Sequence, residues 1–310
     1  MTAPIPTDRQ EIRRRIARNK FKDHLFWIIG LLSTLIGFVV LFTLLLDLFI
    51  DGFPRLSWQF LTSYPSRFPD KAGILSAWVG TTLVMIVTAM SAVPLGVAAG
   101  IYLEEYGKKN WLTHLIEINM NNLAGVPSII YGLLALGLFV YFLKFGESIL
   151  TGGLTLGLLI LPMIVIATRE SIKAIPNSIR EASYALGATK WQTVRWHIIP
   201  YSMGGILTGV IIGLSRAIGE TAPIITVGAL TFIAFLPTPP VSSVFPFLSF
   251  KWLMDPFTVM PIQMFNWVSR PQQAFQVNAA AAGIILMAMT IIMNGLAIYI
   301  RYRFRKRIKW

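Results

Sequence analysis

The sequence predicts an all-α, polytopic integral membrane protein with six transmembrane helices, and three observations lead to this prediction. Of the 310 residues, 55% are hydrophobic and only 13% are charged, and the mean hydropathy is +0.65. Such a composition indicates an integral membrane protein. Apolar runs long enough to cross about 30 Å of hydrocarbon recur along the chain, and the basic residues between them are unevenly distributed.

The first 50 residues divide into a basic segment and an apolar one. Residues 1–24 include the run RRRIARNKFK and no long apolar stretch, which predicts a basic tail that is surface-lying or disordered. Residues 25–50 are too long for the apolar core of a signal peptide and lack a small-residue cleavage site. This run therefore predicts the first transmembrane helix.

Five further spans are predicted between residues 75 and 300. They are about 75–103, 123–144, 151–168, a fifth that starts near Tyr201, and a sixth at about 278–300, followed by a basic tail at 301–310. The segment 235–277 contains seven prolines and many aromatic residues, which predicts an ordered loop with short helices and no further span. This loop and residues 51–74 are two candidates to receive an external protein; the alternative is a lid packed over the membrane domain.

Lysine and arginine positions predict the orientation. Of the 27 basic residues, 20 fall in the two tails and in the loops after the second and fourth spans, whereas six fall on the opposite side and Arg216 lies within a span. Because basic residues are enriched in cytoplasmic loops, both termini and residues 169–200 are predicted to be cytoplasmic. The net charge of +13 is then explained by lipid headgroups and topology, so nucleic acid is not an expected partner.

Enzyme and metal chemistry find little support in the sequence. The chain has no cysteine, and its three histidines (His24, His114 and His197) show no metal-ligand spacing. Neither a phosphate-binding G-x-x-x-x-G-K-[ST] motif nor a Ser-His-Asp pattern is present. We therefore expect no metal, no cofactor and no catalytic site in this chain.

The cytoplasmic stretch 178–200 predicts two short amphipathic helices. Ser178 with Glu181, and Thr189 with Gln192, have the spacing of capping boxes that start helices. Gly187 between them can adopt the left-handed conformation that ends a helix. Ile179, Ala182, Ala185 and Leu186 share one face of the first helix, and Trp191, Val194 and Ile198 share one face of the second. Amphipathic helices between two spans suggest a docking surface.

This stretch also resembles a known family. Glu181 and Ala182, Gly187 after them and the closing Pro200 resemble the EAA loop of ABC-importer permeases, although Ser183 and His197 depart from the usual alanine and isoleucine. ALGATKWQT at 185–193, GILTGVIIGLSRAIGETAP at 205–223 and NLAGVPSIIYG at 122–132 are similar to the phosphate-specific branch of that family.

The resemblance covers about residues 75–300 and implies a type I ABC importer permease fold without an ATP site of its own. Implied partners are a homologous phosphate permease in a heterodimer, two cytoplasmic ATPase subunits, an external phosphate-binding protein and inorganic phosphate. It assigns the coupling to the ATPase to Glu181, Ala182 and Gly187, and Arg180 is a further candidate for that contact.

The fifth span carries two charges. From Gly204 to Phe235 the chain is largely apolar, and 32 helical residues would extend about 48 Å, which exceeds the bilayer core. Gly219 and Pro223 predict a break. Gly205, Gly209, Gly213 and Ala217 recur every fourth residue, which predicts close packing against another helix.

Arg216 and Glu220 lie four residues apart and so share a helical face. A charge at membrane depth costs about 2.5–3.5 kcal/mol on insertion scales, so the pair needs an explanation. One is a structural salt bridge, although its residue order is the less favourable one. The other is a substrate path: a guanidinium can bind phosphate bidentately, and a carboxylate can accept a hydrogen bond from protonated phosphate.

Two competing functions remain at this point. A stand-alone secondary transporter would need internal repeats and coupling-ion sites, which the sequence does not display. A permease of the same superfamily for another oxyanion or small solute is the closer alternative. Glu104 and Glu105, beside Lys108 and Lys109, are predicted to form a solvated helix end, and Arg169, Glu170, Lys173 and Arg180 are predicted to line the cytoplasmic surface.

Overall fold

The computed structural model describes residues 9–108, 110–240 and 249–305, and the regular structure within these ranges is helical throughout. The α-helices are α1 (Arg9–Gly52), α2 (Trp58–Thr62), α3 (Leu75–Ile101), α4 (Trp111–Ala124), α5 (Ser128–Ala135), α6 (Ile149–Lys173), α7 (Asn177–Ala185), α8 (Lys190–Thr193), α9 (Ile199–Gly219), α10 (Ala222–Thr226), α11 (Met260–Val268) and α12 (Gln273–Arg305). Five described helices are long and apolar enough to cross a membrane, and the bent pair α4–α5 makes a sixth span if it is counted as one.

The chain divides into two units, and residues up to Asp51 form the first. Its helix α1 has 44 residues and so extends about 66 Å, roughly twice the thickness of a bilayer core. The alternative of a disordered tail is therefore wrong for the described part, because the basic segment from Arg9 continues the helix of the first span; a position on the membrane surface stays a prediction. Residues 1–8 lie outside the described residues.

In the second unit, α3 and α6 approach closely because glycines face the opposite helix. A Cβ atom at Gly153 would lie 2.4 Å from the Cβ of Val87, and one at Gly96 would lie 2.7 Å from Ile164. The Thr88 side-chain hydroxyl donates a hydrogen bond of 3.1 Å to the Gly153 carbonyl, so a polar contact also joins the two helices. In a lipid bilayer no hydrophobic effect drives helices together, so association depends on close van der Waals packing, which small residues allow.

Helix α9 contacts α6 through the glycine stripe. A Cβ at Gly205 would lie 2.2 Å from the Ser171 Oγ, and one at Gly209 would lie 2.2 Å from the Ala167 Cβ. At Gly213 the nearest atom is 3.5 Å away, which is ordinary contact. The contact between the two helices is thus tightest toward the N-terminal half of α9.

The third span differs from its prediction as a single helix over 123–144. α4 and α5 meet at 107°, at a break formed by Gly125, Val126 and Pro127. Proline lacks the N–H that would continue the helix, and it restricts the residue before it. The Tyr131 hydroxyl donates to the Leu123 carbonyl at 2.8 Å across this bend. α5 then continues as a π-helix over Leu136–Phe142.

Helix α12 begins before the predicted sixth span and continues into the predicted basic tail. Arg301 donates from Nη1 to the Thr208 hydroxyl of α9 at 2.8 Å, and Ser215 donates to Asn294 at 2.7 Å. The start of the tail is therefore helical and contacts α9. Residues 306–310 lie outside the described residues.

The described parts of residues 51–74 and 235–277 contain only short helices after the end of α1 and before the start of α12, which confirms that feature of the prediction for the second segment. A 3-10 helix at Lys251–Met254 precedes α11, whose Met260, Ile262 and Trp267 are fully buried. Arg55 donates to Asn278 at 2.8 Å and to the carbonyls of Pro69, Asp70 and Ala72. These contacts favour the packed lid. Residues 241–248, with Pro246 and the start of the apolar patch PFLSFKWLM, lie outside the described residues.

Candidate translocation site and coupling surface

The charged pair lies where the fifth span ends. α9 stops at Gly219, Glu220 is extended (φ −77°, ψ 124°), and α10 begins at Ala222 with Pro223 in its first turn. The predicted break is confirmed. Because Glu220 has left the helix, its carboxylate is not held at the spacing of an ordinary i,i+4 helical pair.

Arg216 and Glu220 share one long hydrogen bond. Nε of Arg216 donates to Oε1 of Glu220 at 3.3 Å, and Nη1 lies 3.4 Å from the sulfur of Met163 on α6. Nη2 has no hydrogen-bond partner among the described residues. The side chains are 37% and 20% exposed, respectively. The pair is not the two-bond fork that a guanidinium forms with a carboxylate in a strong structural salt bridge, so both groups keep bonding capacity.

The space beside Glu220 is small. A cavity of about 10 Å³ lies between α3, α6, α9 and α10, lined by residues that include Thr81, Ala217, Glu220 and Val259. That volume is about what one water needs. An oxyanion would therefore reach the pair from the exposed side of Arg216 and not from this cavity.

The stretch 178–200 turns at Gly187 as predicted. Gly187 has φ +82°, in the left-handed region that favours glycine. Thr189 and Gln192 form the predicted capping box. Across the turn, the Ser183 and Thr193 hydroxyls lie 2.8 Å apart and both residues are buried. This polar contact fixes α7 against α8.

Two predictions for this stretch are wrong. Ser178 and Glu181 form no capping box, because α7 begins at Asn177 after Pro176 and Ser178 lies inside the first turn. The second helix is also not separate, since α8, a π-helical turn at Val194–Ile198 and α9 form one helix over Lys190–Gly219. The turn at Gly187 is therefore joined without interruption to the helix that carries Arg216.

The outer surface of the turn is apolar and exposed. Leu186 is 89% exposed, Trp191 and Trp196 are also exposed, and so are Glu181 and Ala182. Leu186, Gly187, Gln192 and Trp196 help to line a cleft of about 400 Å³. Of the apolar face predicted for the first helix, Ala182, Ala185 and Leu186 are thus exposed, as in an interaction surface, whereas Ile179 packs against the buried Ile172, Ile175 and Ile198.

Arg180 points inward, away from this surface. Its Nη2 and Nε donate to Oε1 of Glu105 at 2.7 and 3.0 Å, and the two side chains are only 16% and 6% exposed. The prediction that Arg180 contacts an ATPase does not agree with this geometry. The predicted solvated helix end at Glu104 and Glu105 is wrong for Glu105, which is buried.

Arg169 also pairs with acidic residues that the sequence pattern did not connect to it. It contacts Glu117 on α4, and its Nη2 lies 3.4 Å from Oε2 of Glu104. These partners are 52 and 65 positions away along the chain. The only signal in the sequence was the presence of unpaired charges beside the ends of apolar runs. Glu170 and Lys173, predicted on the same surface, are exposed.

The helical spans define a multi-pass membrane protein, and the charged break in α9 and the exposed turn at Gly187 are its candidate functional features. The chain belongs to the family described as "binding-protein-dependent transport system inner membrane component", which matches residues 92–309. It is therefore a transport component of the inner membrane, and the stand-alone transporter considered above does not agree with this membership.

Relatives and solved structures are consistent with that family. A probable ABC transporter permease of Bacillus subtilis, YqgI, is 31% identical over 87% of both chains. The phosphate transport system permease protein PstA of Yersinia pestis is 30% identical over 91% of this chain and 90% of its own. An inward-facing structure of the MetNI methionine ABC transporter shares the fold, with a TM-score of 0.51, 16% identity and coverage of 74% of this chain and 92% of that one.

Proposed function

We propose that this chain is a permease subunit of an ATP-driven phosphate importer and forms half of its translocation path. The observation that supports this most directly is the Arg216–Glu220 pair, in which one hydrogen bond of 3.3 Å leaves Nη2 of a partly exposed guanidinium unbonded. A guanidinium binds phosphate oxygens bidentately, and the carboxylate can accept a hydrogen bond from the hydroxyl of hydrogen phosphate. Sulfate has no such proton at neutral pH. The relatives named for phosphate transport support the same substrate.

The proposed assembly pairs this chain with a homologous phosphate permease as a heterodimer. The partner would complete the path on the exposed side of Arg216. Two cytoplasmic ATPase subunits would supply the energy, and an external phosphate-binding protein would deliver the anion to the side formed by residues 51–74 and 235–277. Both termini are cytoplasmic in this proposal, in agreement with the distribution of basic residues.

Coupling to the ATPase would occur at the turn around Gly187. Glu181, Ala182 and Leu186 are exposed there, and the adjoining cleft of about 400 Å³ can accept side chains of a partner. The continuous helix from Lys190 to Gly219 then connects this surface with Arg216, about 39 Å away at 1.5 Å per residue.

The proposal is tested by uptake of labelled phosphate into proteoliposomes that contain the assembled importer. Arg216→Gln is expected to abolish uptake without loss of assembled protein, because the amide has no charge with which to attract a partly dehydrated anion. The matched control is Arg303→Gln, which removes an exposed charge near the end of α12, away from both proposed sites. Unlabelled sulfate should compete at least tenfold more weakly than phosphate. Equal competition would instead favour the alternative of a general oxyanion permease.

A further inference from the structure

Glu105 and Arg180 form the most buried ion pair of the cytoplasmic side among the described residues. Glu105 lies in a π-helical turn, Tyr102–Tyr106, that directly continues α3. Arg180 lies on α7, which leads into the turn at Gly187. Two nitrogens of the guanidinium donate to the same carboxylate oxygen, at 2.7 and 3.0 Å. The ion pair thus joins α7 to the end of a membrane helix, although its two residues are 75 positions apart in the sequence.

Arg180 also bonds to the end of α6. Its Nη1 donates to the carbonyl of Ile175 at 2.9 Å, and its Nη2 lies 3.2 Å from the carbonyl of Ile172. Ile172 lies in the last turn of α6 and Ile175 lies two residues beyond its end, so both bonds hold Arg180 against the C-terminus of α6. One side chain therefore joins three elements: α3, α6 and α7.

Apolar contacts surround the same junction. Ile172, Ile175 and Ile198 are buried together, with Ile101 and Ile179 packed against them. Replacing a buried ion pair by apolar residues is often neutral or stabilising, so stability alone is a weak reason for this pair. Charge-assisted hydrogen bonds do, however, fix the distance and orientation of the two side chains relative to each other. A connection that keeps its geometry can transmit the displacement of one helix to another.

We propose that Glu105 and Arg180 are positioning residues that transmit the movement of α7 to α3 and α6. This inference rests on the proposed function, in which an ATPase moves the turn around Gly187. Along the chain, α7 is joined to α6 through residues 174–176 and to α9 through α8. The ion pair adds a connection to α3, and the bond from Arg180 to Ile172 adds a second one to α6, so that the ends of the three closely packed helices α3, α6 and α9 shift together when α7 is displaced.

The test compares Glu105→Gln with Glu170→Gln in the reconstituted importer. The glutamine at 105 keeps an oxygen acceptor and nearly the same shape but loses the charge, so the protein should assemble. Glu170 is an exposed glutamate near the same cytoplasmic end. We expect Glu105→Gln to raise the ATP hydrolysed per phosphate transported at least fivefold, with the hydrolysis rate within twofold of wild type. Glu170→Gln should leave the ratio unchanged. An unchanged ratio in Glu105→Gln would overturn the inference.

A distance measurement decides the same question without phosphate. Because the chain has no cysteine, spin labels can be placed at single cysteines introduced at Ser178 on α7 and Tyr102 in the π-helical turn, both exposed. We expect this distance to stay constant in the wild-type background between the nucleotide-free complex and the complex trapped with ATP and vanadate. In Glu105→Gln it should change by several ångströms. A wild-type distance that changes as much as the variant's would refute the transmission role.

The two outcomes separate this inference from the proposed function. If the wild-type complex transports no phosphate, the proposed substrate is wrong, and the label distances still decide whether α7 and α3 move together. If phosphate is transported but neither the ratio nor the distance responds to Glu105→Gln, only the inference fails.

Discussion

Replacing Gly209 with alanine tests whether the contact between α6 and α9 is as tight as the structure indicates. The new Cβ would lie 2.2 Å from the Cβ of Ala167, so the two helices must separate by about 1.2 Å to restore an ordinary 3.4 Å contact. Unlike a long side chain, the alanine methyl group cannot rotate away. Overpacking of this kind costs about 1–3 kcal/mol.

Gly204→Ala is the matched control, because Gly204 lies on the same helix and a Cβ there would meet nothing within 4 Å. Alanine has a better helix propensity than glycine, by up to about 1 kcal/mol in peptide hosts, and both variants gain this term. The difference between the variants therefore isolates the clash. A Gly213→Ala variant, whose Cβ would meet only ordinary contacts from 3.5 Å, should resemble the control.

The assay is the thermal unfolding of the purified complex in detergent, followed by the loss of monodisperse protein. A difference of 1 kcal/mol shifts Tm by roughly 2–4 °C in domains of 150–250 residues, so Gly209→Ala should unfold several degrees below Gly204→Ala. Phosphate uptake should also fall in Gly209→Ala, since Arg216 lies two turns further along α9. Equal Tm values for the two variants would refute the close approach of α6 and α9.

Three further predictions concern the proposed site, the turn and the topology. Arg216→Lys should restore only part of the uptake lost in Arg216→Gln, because an ammonium group cannot form the bidentate contact of a guanidinium. Exchange of the two charges, as Arg216→Glu with Glu220→Arg, should give an assembled but inactive complex. Efficient uptake by the exchanged variant would show that the pair is only structural. Gly187→Val should lower ATPase-coupled uptake at unchanged membrane insertion, because a β-branched residue at φ +82° is strained by about 1–3 kcal/mol; normal coupling in this variant would argue against a docking role for the turn. Reporter fusions after Arg195 should be cytoplasmic and fusions near Trp252 external, and a cytoplasmic signal near Trp252 would contradict the six-span topology.

Several features of this protein follow from the sequence because they depend on neighbours within about one helical turn. The apolar runs locate the membrane helices, since each must satisfy its own backbone in lipid. Gly187 predicts the turn and the Thr189–Gln192 box predicts the helix start, because both use bonds between residues two to four apart. The break after Gly219 follows from the length of the apolar run and from Pro223.

The tertiary structure decided how these elements connect, and the reasons are long-range. The pairing of Arg180 with Glu105 joins residues 75 positions apart, so no local pattern distinguishes it from a solvated charge. The 107° bend between α4 and α5 combines a local cause, Pro127, with an angle that depends on what the two helices contact. The continuity of α8 with α9 arises because Val194 and Ile198 are fully buried, which favours an unbroken helix where the sequence suggested a separate one. Arg180 and Glu181 were both candidates for the coupling surface, yet Arg180 is held inward by Glu105 and Glu181 is exposed, because burial and pairing are determined by the assembled helices.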